Sequence, residues 1–164
     1  MTRDEESSSV AEGLPVLRVD RPSSVIDLGC GSGILAIAAL KLGAEQALGV
    51  DIDPDAVQAS LSNAELNEVA DRLQVGLGSV DEILGGDFAI RGAPLVLANI
   101  LAPVIVRLLD ARLAELVSPG GALVLSGILA EQAGEVEAAL QRHGLQLSER
   151  RQEGDWVAMV ALRL

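Results

Sequence analysis

The chain has 164 residues, a net charge of −12, one Trp, one Phe and no Tyr. This length fits one domain with a sizeable core, and the strong negative charge argues against direct binding along a nucleic-acid backbone. The lone cysteine, Cys30, cannot form an intrachain disulfide, which suits a cytoplasmic protein. No uncharged apolar run is long enough to span a bilayer, and one Cys with one distant His makes no metal-ligand set.

Strand and helix signals alternate along the chain after a polar lead-in at residues 1–22. We predict strands at 24–28, 46–52, 73–77, 95–99, 122–126, 145–151 and 155–163. We predict helices at 33–42, 54–68, 103–116 and 130–143, with Asp53 as N-cap and Pro54 at the first position of the second helix. Residues 78–94 are interpreted as a loop, and residues 118–121 as a turn.

The alternation predicts an α/β fold built from crossover units around a parallel sheet. Three of the strands are continuous apolar runs, as expected for strands that are covered on both faces. The last two strands are separated by a tight turn at Glu153 and Gly154, so they are predicted to form a hairpin that adds an antiparallel strand near one edge.

Three glycines, Gly29, Gly31 and Gly33, stand between the first strand and the first helix. Glycine allows tight turns and close approach of a ligand, and helix N-termini direct their N–H groups at anions and polar ligands. Asp51 ends the second strand, where a carboxylate accepts hydrogen bonds from ribose hydroxyls. Together these features predict a site for an adenosine-containing ligand.

The glycine spacing discriminates between two ligand classes. A dinucleotide site requires G-x-G-x-x-G, with the third glycine placed for close helix packing. Here the pattern is G-x-G-x-G, and Ile34 stands where that third glycine would be. The spacing therefore counts against NAD and favours a ligand without a pyrophosphate.

Four segments resemble S-adenosylmethionine-dependent methyltransferases: VIDLGCGSGILAIAALKLGA, GVDIDPDAVQASLSNAELNEV, LVLANILAPVI and SPGGALVLSGILAEQAGEV. More closely, they resemble the PrmA family, which methylates a protein of the large ribosomal subunit. The resemblance implies a doubly wound, Rossmann-like, seven-stranded sheet that is mostly parallel with an antiparallel last strand. Family members carry an N-terminal recognition domain where this chain has 22 residues. We therefore expect a lead-in at 1–22 and a catalytic domain at 23–164.

The resemblance also implies roles for particular residues. Asn99 would present its side-chain oxygen, and Ile100 its backbone carbonyl, to the substrate nitrogen. Asp51 would hold the ribose of S-adenosylmethionine, and Ile52 would pack on its adenine. The full cofactor-binding set implied in this way comprises Asp27, Gly29, Cys30, Gly31, Ser32, Gly33, Asp51, Ile52 and Asn99.

The resulting hypothesis is a protein N-methyltransferase that acts on a lysine side chain or an N-terminal amine, with a basic ribosomal protein as the partner. Three alternatives stay open: a cofactor-binding module without turnover, an NAD-dependent oxidoreductase and a nucleic-acid methyltransferase. Individual residues also have simpler interpretations. Asn99 would end a strand and cap a helix, His143 would place a favourable charge at a helix end, and Trp156 would pack against the sheet. The oligomeric state is left open.

Overall fold

The computed structural model describes residues 21–164, so most of the predicted lead-in lies outside the described residues. The strands are β1 Ser24–Leu28, β2 Gln46–Asp51, β3 Leu73–Leu77, β4 Ala93–Asn99, β5 Val117–Leu129, β6 Gln146–Glu153 and β7 Trp156–Leu162. The α-helices are α1 Ile34–Lys41, α2 Pro54–Leu66, α3 Val80–Gly85, α4 Ala102–Asp110 and α5 Ala133–Arg142. Short 3₁₀ turns cover Leu113–Leu116 and Ala130–Gln132.

The seven strands form one sheet in the order β3-β2-β1-β4-β5-β7-β6. The pairs among β1 to β5 are parallel, whereas β7 runs antiparallel to both of its neighbours, β5 and β6. This arrangement confirms the predicted α/β, doubly wound sheet with an antiparallel last strand.

Helices cover both faces of the sheet and divide the core in two. α3, α4 and α5 pack on one face, where Ile83, Ile105 and Val136 join the larger buried cluster. α1 and α2 pack on the other face, where Leu40 and Ala64 belong to the smaller cluster. β1 is buried along its whole length because it contributes side chains to both clusters.

The strand order reverses at β1, which pairs with β2 on one side and β4 on the other. Leu28 is in register with Val50 of β2 and Ala98 of β4. The next residues, Gly29, Asp51 and Asn99, therefore emerge together at one edge of the sheet. In open parallel sheets the crevice at such a reversal is where ligands bind.

Two predicted segments differ from the structure. Residues 78–94 contain α3, a six-residue helix whose first turn is closed by the Ser79 N–H donating to Glu82 Oε2 at 2.8 Å. A helix this short shows too few turns for its periodicity to be read from the sequence. The predicted helix at 103–116 divides at Arg112, whose φ of 73° ends α4 before the 3₁₀ turn begins.

The boundaries of other elements shift by a few residues. α5 begins at Ala133 rather than 130, because a 3₁₀ turn occupies the first three residues. β5 is longer than predicted at both ends and contains the turn residues 118–121. The predicted N-cap is confirmed, since Asp53 Oδ1 accepts the Asp55 N–H at 2.9 Å.

No helix among residues 21–164 combines the length and the apolar character needed to cross a membrane.

The central position of β5 predicts a large cost for truncating its buried side chains. Leu125 is fully buried in the larger cluster, so Leu125→Ala should lower the free energy of unfolding by about 2–5 kcal/mol. Leu42 is 84% exposed, and Leu42→Ala should change it by no more than about 0.5 kcal/mol. Urea denaturation measures the free energy of unfolding of each variant. Equal losses in the two variants would contradict the burial of Leu125 and the exposure of Leu42.

Candidate active site

The loop at residues 29–33, called here the glycine loop, is held against β2 by the Asp51 carboxylate. Asp51 Oδ2 accepts the Gly31 N–H at 2.9 Å, and Asp51 Oδ1 accepts the Asp53 N–H at 3.0 Å. The Cys30 N–H adds a backbone bond to Val50 at 3.0 Å. One carboxylate thus ties together the loops that follow β1 and β2.

α2 supports the glycine loop from the other side. The Ser60 hydroxyl donates to the Gly31 carbonyl at 2.7 Å, and the Asn63 amide donates to the Ser32 carbonyl at 2.8 Å. Ser60 is fully buried. No role is predicted for Ser60 or Asn63 from the sequence, although their spacing of three residues places both side chains on one helix face.

The three glycines serve different purposes. A Cβ on Gly29 would lie 2.7 Å from Ile100 Cγ2, and one on Gly33 would lie 3.0 Å from Ser60 Oγ. These two glycines therefore permit close packing within the protein. Gly31, with φ of 54°, has no atom within 4 Å of the position that a Cβ would take, so the space beside it is open.

A first cavity of about 380 Å³ lies between the glycine loop and the β4–α4 connection. Its lining includes three residues of the predicted cofactor set, Gly29, Asp51 and Ile52, together with Ile100. The Ile52 side chain is 80% exposed. An exposed isoleucine gains nothing from contact with water, so its position at the cavity is consistent with contact to a ligand. The lining also includes Arg107. A few charged and polar groups among apolar side chains are the usual make-up of a small-molecule site.

Other parts of the first cavity were not anticipated from the sequence. Gly78 and Ser79 follow β3, and Leu101, Val104 and Leu108 belong to the β4–α4 connection and to α4. Since β3 lies two strands away from β1, its carboxyl end could be placed here only once the strand order was known.

A second, larger cavity of about 1020 Å³ opens on the other side of the β4–α4 connection. Asn99, Ser126, Gly127 and Trp156 line it. Ile100 and Leu101 line both cavities. The two spaces are therefore neighbours that share one wall, and Asn99 stands beside that wall.

A bulge in β5 fixes the position of Asn99. The pairing of β5 with β7 shifts register between Leu125 and Ile128, and Asn99 faces Ser126 in the parallel pairing. A Cβ on Gly127 would lie 2.9 Å from both Asn99 Oδ1 and the Ile100 carbonyl oxygen. Gly127, with φ of 79°, thus allows two hydrogen-bond acceptors to sit side by side at the cavity wall.

Six residues of the predicted cofactor set are not in the lining of the first cavity. Asn99 lines the second cavity, and Gly31 is held by the Asp51 carboxylate. Cys30 is buried, with its Sγ 3.4 Å from Ser60 Oγ, and burial raises the pKa of its thiol. Ser32 borders a separate surface hollow with Lys41 and Asn63. Gly33 begins α1 against Ser60. The sixth residue, Asp27, is buried and accepts a hydrogen bond from the first turn of α1.

Asp27 is a buried carboxyl group near the carboxyl end of β1, with 1% of its surface exposed. Its Oδ2 accepts the Ala36 N–H in the first turn of α1 at 3.2 Å. Burial raises the pKa of Asp27 to about 7, the Ala36 hydrogen bond opposes this increase, and the Asp51 charge adds to it. Near neutral pH the Asp27 carboxyl is therefore present in both its protonated and its charged form. Asp51, on the neighbouring strand, lines the first cavity.

His143 lies away from both cavities. Its Nε2 is 2.8 Å from Asp110 Oδ1, which places it in a surface contact between the ends of α5 and α4. In the part of the chain that the structure describes, no three His, Cys, Asp or Glu side chains are grouped so that they could hold a metal ion.

The comparisons with known proteins agree on one family. Residues 14–163 match the family model described as ribosomal protein L11 methyltransferase (PrmA). The ribosomal protein L11 methyltransferase of Pelobacter propionicus is 44% identical over 154 residues, which are 94% of this chain and 47% of that protein. The Azotobacter vinelandii relative of the same name is 56% identical over 118 residues, 72% of this chain and 38% of that protein.

A solved structure supports the same relation. The crystal structure of ribosomal protein L11 methylase from Lactobacillus delbrueckii subsp. bulgaricus superposes with a TM-score of 0.76 and 32% sequence identity, covering 89% of this chain and 72% of that chain. The chain spans about half the length, or less, of these two curated relatives.

The raised pKa of Asp27 predicts a distinctive dependence of stability on pH. In the unfolded chain this carboxyl loses its proton near its ordinary pKa of 3.8, but in the folded protein it keeps the proton until about pH 7. The folded state therefore binds more protons across this interval, so the contribution of Asp27 to stability falls as the pH rises, by about 1.4 kcal/mol per pH unit. Asp27→Asn should remove this decline.

Urea denaturation from pH 4.5 to 8 gives the free energy of unfolding of each protein, and the effect is the difference between the value for the variant and the value for the wild type. The difference should grow in favour of Asp27→Asn up to about pH 7 and then level off. Asp71→Asn, at an exposed position, is the matched control and should give a flat difference. Parallel curves for wild type and Asp27→Asn would show that the buried carboxyl does not titrate as described.

Proposed function

Because the chain belongs to the PrmA family of ribosomal protein L11 methyltransferases, we propose that it transfers methyl groups from S-adenosylmethionine to protein amines. One observation of the structure supports this most directly: two cavities share the wall formed by Ile100 and Leu101, and Asn99 stands beside that wall. A methyl donor in one space and an amine in the other would meet there. The names of the relatives support a protein substrate, and the two hydrogen-bond acceptors beside this wall support an amine as the acceptor group, either a lysine side chain or an N-terminal amine.

The residues at the first cavity fit the proposed cofactor. Each Asp51 oxygen accepts one backbone N–H, and each has further lone-pair capacity for a ribose hydroxyl. The exposed Ile52 side chain offers an apolar surface to adenine. Gly31 leaves room at the glycine loop for the methionine part. When bound, S-adenosylmethionine supplies a methyl group on a positively charged sulfonium.

The other residues of the predicted cofactor set act in this proposal through their backbone or from behind the loop. Gly29, Cys30, Ser32 and Gly33 give the glycine loop its path around the ligand. Asp27 holds the first turn of α1 in place beneath that path. Asn99 ends β4 beside the wall that the two cavities share.

The task of the chain at the second cavity is to hold a neutral amine in position. Asn99 Oδ1 and the Ile100 carbonyl oxygen are both acceptors, and both lie against Gly127, so they can take hydrogen bonds from two N–H groups of one amine. This directs the nitrogen lone pair away from them, and fixed orientation of this kind lowers a barrier by several kcal/mol. Desolvation in the cavity lowers the pKa of a lysine from about 10.4 and favours the neutral form; the released proton passes to water.

We further propose that residues 23–164 form the catalytic domain and that the partner is a ribosomal protein of basic character; the names of the relatives support the ribosomal protein. The net charge of −12 supports this choice, because opposite charge speeds the encounter of two proteins.

The cofactor assignment predicts the outcome of a calorimetric titration. S-adenosylmethionine should bind and NAD should not, and Asp51→Ala should weaken binding at least about tenfold through the loss of charge-assisted hydrogen bonds. Asp53→Ala removes the α2 N-cap, so it should lower stability by about 0.5–2 kcal/mol while the affinity is kept. Binding of NAD, or equal affinity in wild type and Asp51→Ala, would refute the assignment.

The close contacts of Gly127 predict that a substitution there lowers methyl transfer but leaves cofactor binding nearly unchanged. In Gly127→Ala the new Cβ would collide with Asn99 Oδ1 and the Ile100 carbonyl, and the φ of 79° disfavours alanine. Transfer of labelled methyl groups to ribosomal protein L11 should therefore fall by about 10²-fold or more, with little change in cofactor affinity. Gly134→Ala, at a position in α5 with open space around it, is the control; unchanged transfer in Gly127→Ala would exclude the proposed role of this wall.

A further inference from the structure

The only tryptophan of the chain, Trp156, is on the surface of the second cavity. It begins β7 and is 56% exposed, which is unusual for the largest apolar side chain of a protein with just one Phe and no Tyr. The expectation that Trp156 packs against the sheet therefore accounts for only part of its surface. Its exposed part borders the same space as Asn99 and Gly127.

The β6–β7 hairpin places a carboxylate next to this indole. Glu153 is the direct cross-strand partner of Trp156 in the antiparallel pairing, so the two side chains leave the sheet on the same face with their Cβ atoms about 5 Å apart. Both residues line the second cavity. The bulge in β5 brings Ser126 and Gly127 opposite this hairpin, which joins the indole and Asn99 in one space.

The charges around the indole favour a cation. Arg151 also lines the cavity, but its guanidinium is paired with the Glu149 carboxylate. Glu153, in contrast, has no basic side chain within ion-pair distance among the described residues. An indole face is the strongest aromatic partner for an ammonium group, and a neighbouring carboxylate adds Coulomb attraction.

We propose that Trp156 and Glu153 form an ammonium-binding subsite in the second cavity, which takes the alkylammonium group of the protein substrate. The identity of the natural ligand rests on the proposed function, whereas the subsite itself is a property of these residues. A charged side chain is first held at the indole and then moves to Asn99 as the neutral amine. A methylated ammonium product, which is less strongly hydrated than a primary one, binds the same indole.

The fluorescence of Trp156 reports ligand binding directly, because the chain has no other tryptophan and no tyrosine that would contribute to the signal. The probe is choline chloride, a small quaternary ammonium, and its matched control is 3,3-dimethylbutan-1-ol, which has the same shape without the charge. Choline should change the fluorescence in a saturable way with a Kd on the order of 1–10 mM, as suits so small a ligand. The neutral alcohol, and sodium chloride at equal concentration, should not produce this change.

Variants test which groups are responsible. Glu153→Gln should weaken choline about two- to tenfold, whereas Glu131→Gln, on a different segment and outside the cavity lining, should leave it unchanged. Trp156→Leu, followed by ligand-observed NMR, should lose choline binding, and Trp156→Phe should keep part of it. An equal response to choline and the neutral alcohol, or full choline binding by Trp156→Leu, would overturn the proposal.

Titration with S-adenosylmethionine separates this inference from the proposed function. If the cofactor binds but choline does not, the ammonium subsite is wrong and the methyltransferase assignment stands. If choline binds but the cofactor does not, the subsite stands and the assignment is wrong. In methyl-transfer assays, Trp156→Leu should raise the KM for ribosomal protein L11 more than it lowers kcat, and an effect confined to kcat would also contradict the subsite.

Discussion

The parallel pairing of β1 with β2 on one side and β4 on the other is the constraint from which the site follows. β1 is buried along its full length, so its register with both neighbours is set by the core on the two faces of the sheet. Leu28 aligns with Val50 and Ala98, and the three strands therefore end at one level. A shift of one residue in either pair would exchange the side chains that face the two core clusters and would separate Asp51 or Asn99 from the glycine loop.

Two carboxylates at adjacent strand ends then have different tasks because their surroundings differ. Asp27 is almost fully enclosed, holds the first turn of α1 and has a pKa raised to about 7 by burial. Asp51 borders the first cavity and holds the glycine loop through backbone N–H groups. Hydrogen bonds to a charged group contribute about 1.5–3 kcal/mol each, so Asp51 can keep the loop ready for a ligand. Ser60 and Asn63 brace the same loop from α2, which leaves little to rearrange on binding.

The second cavity depends on an irregularity rather than on regular structure. The bulge at Ser126 and Gly127 bends β5 beside Asn99, and the antiparallel β7 brings Trp156 to the same space. Bulges are common where a strand must redirect a side chain at a functional site. Under the proposed function, the second cavity would receive the protein substrate and the first cavity would hold the small molecule.

The sequence by itself determined the features whose signals are local. Apolar runs marked β1, β4 and part of β5; Asp53 and Pro54 marked the start of α2; and the glycine loop with Asp51 marked the ligand edge. Tertiary structure alone decided the break at Arg112, the bulge at Gly127 and the exposure of Trp156, whereas the short helix α3 has a local signal in the capping box of Ser79 and Glu82. A cap or an apolar run stabilises its own neighbourhood in the chain, so it can be read locally. The depth of Asp27, the shared wall at Ile100 and the pairing of Glu153 with Trp156 beside Asn99 depend on strands far apart in sequence, and only their packing brings them together.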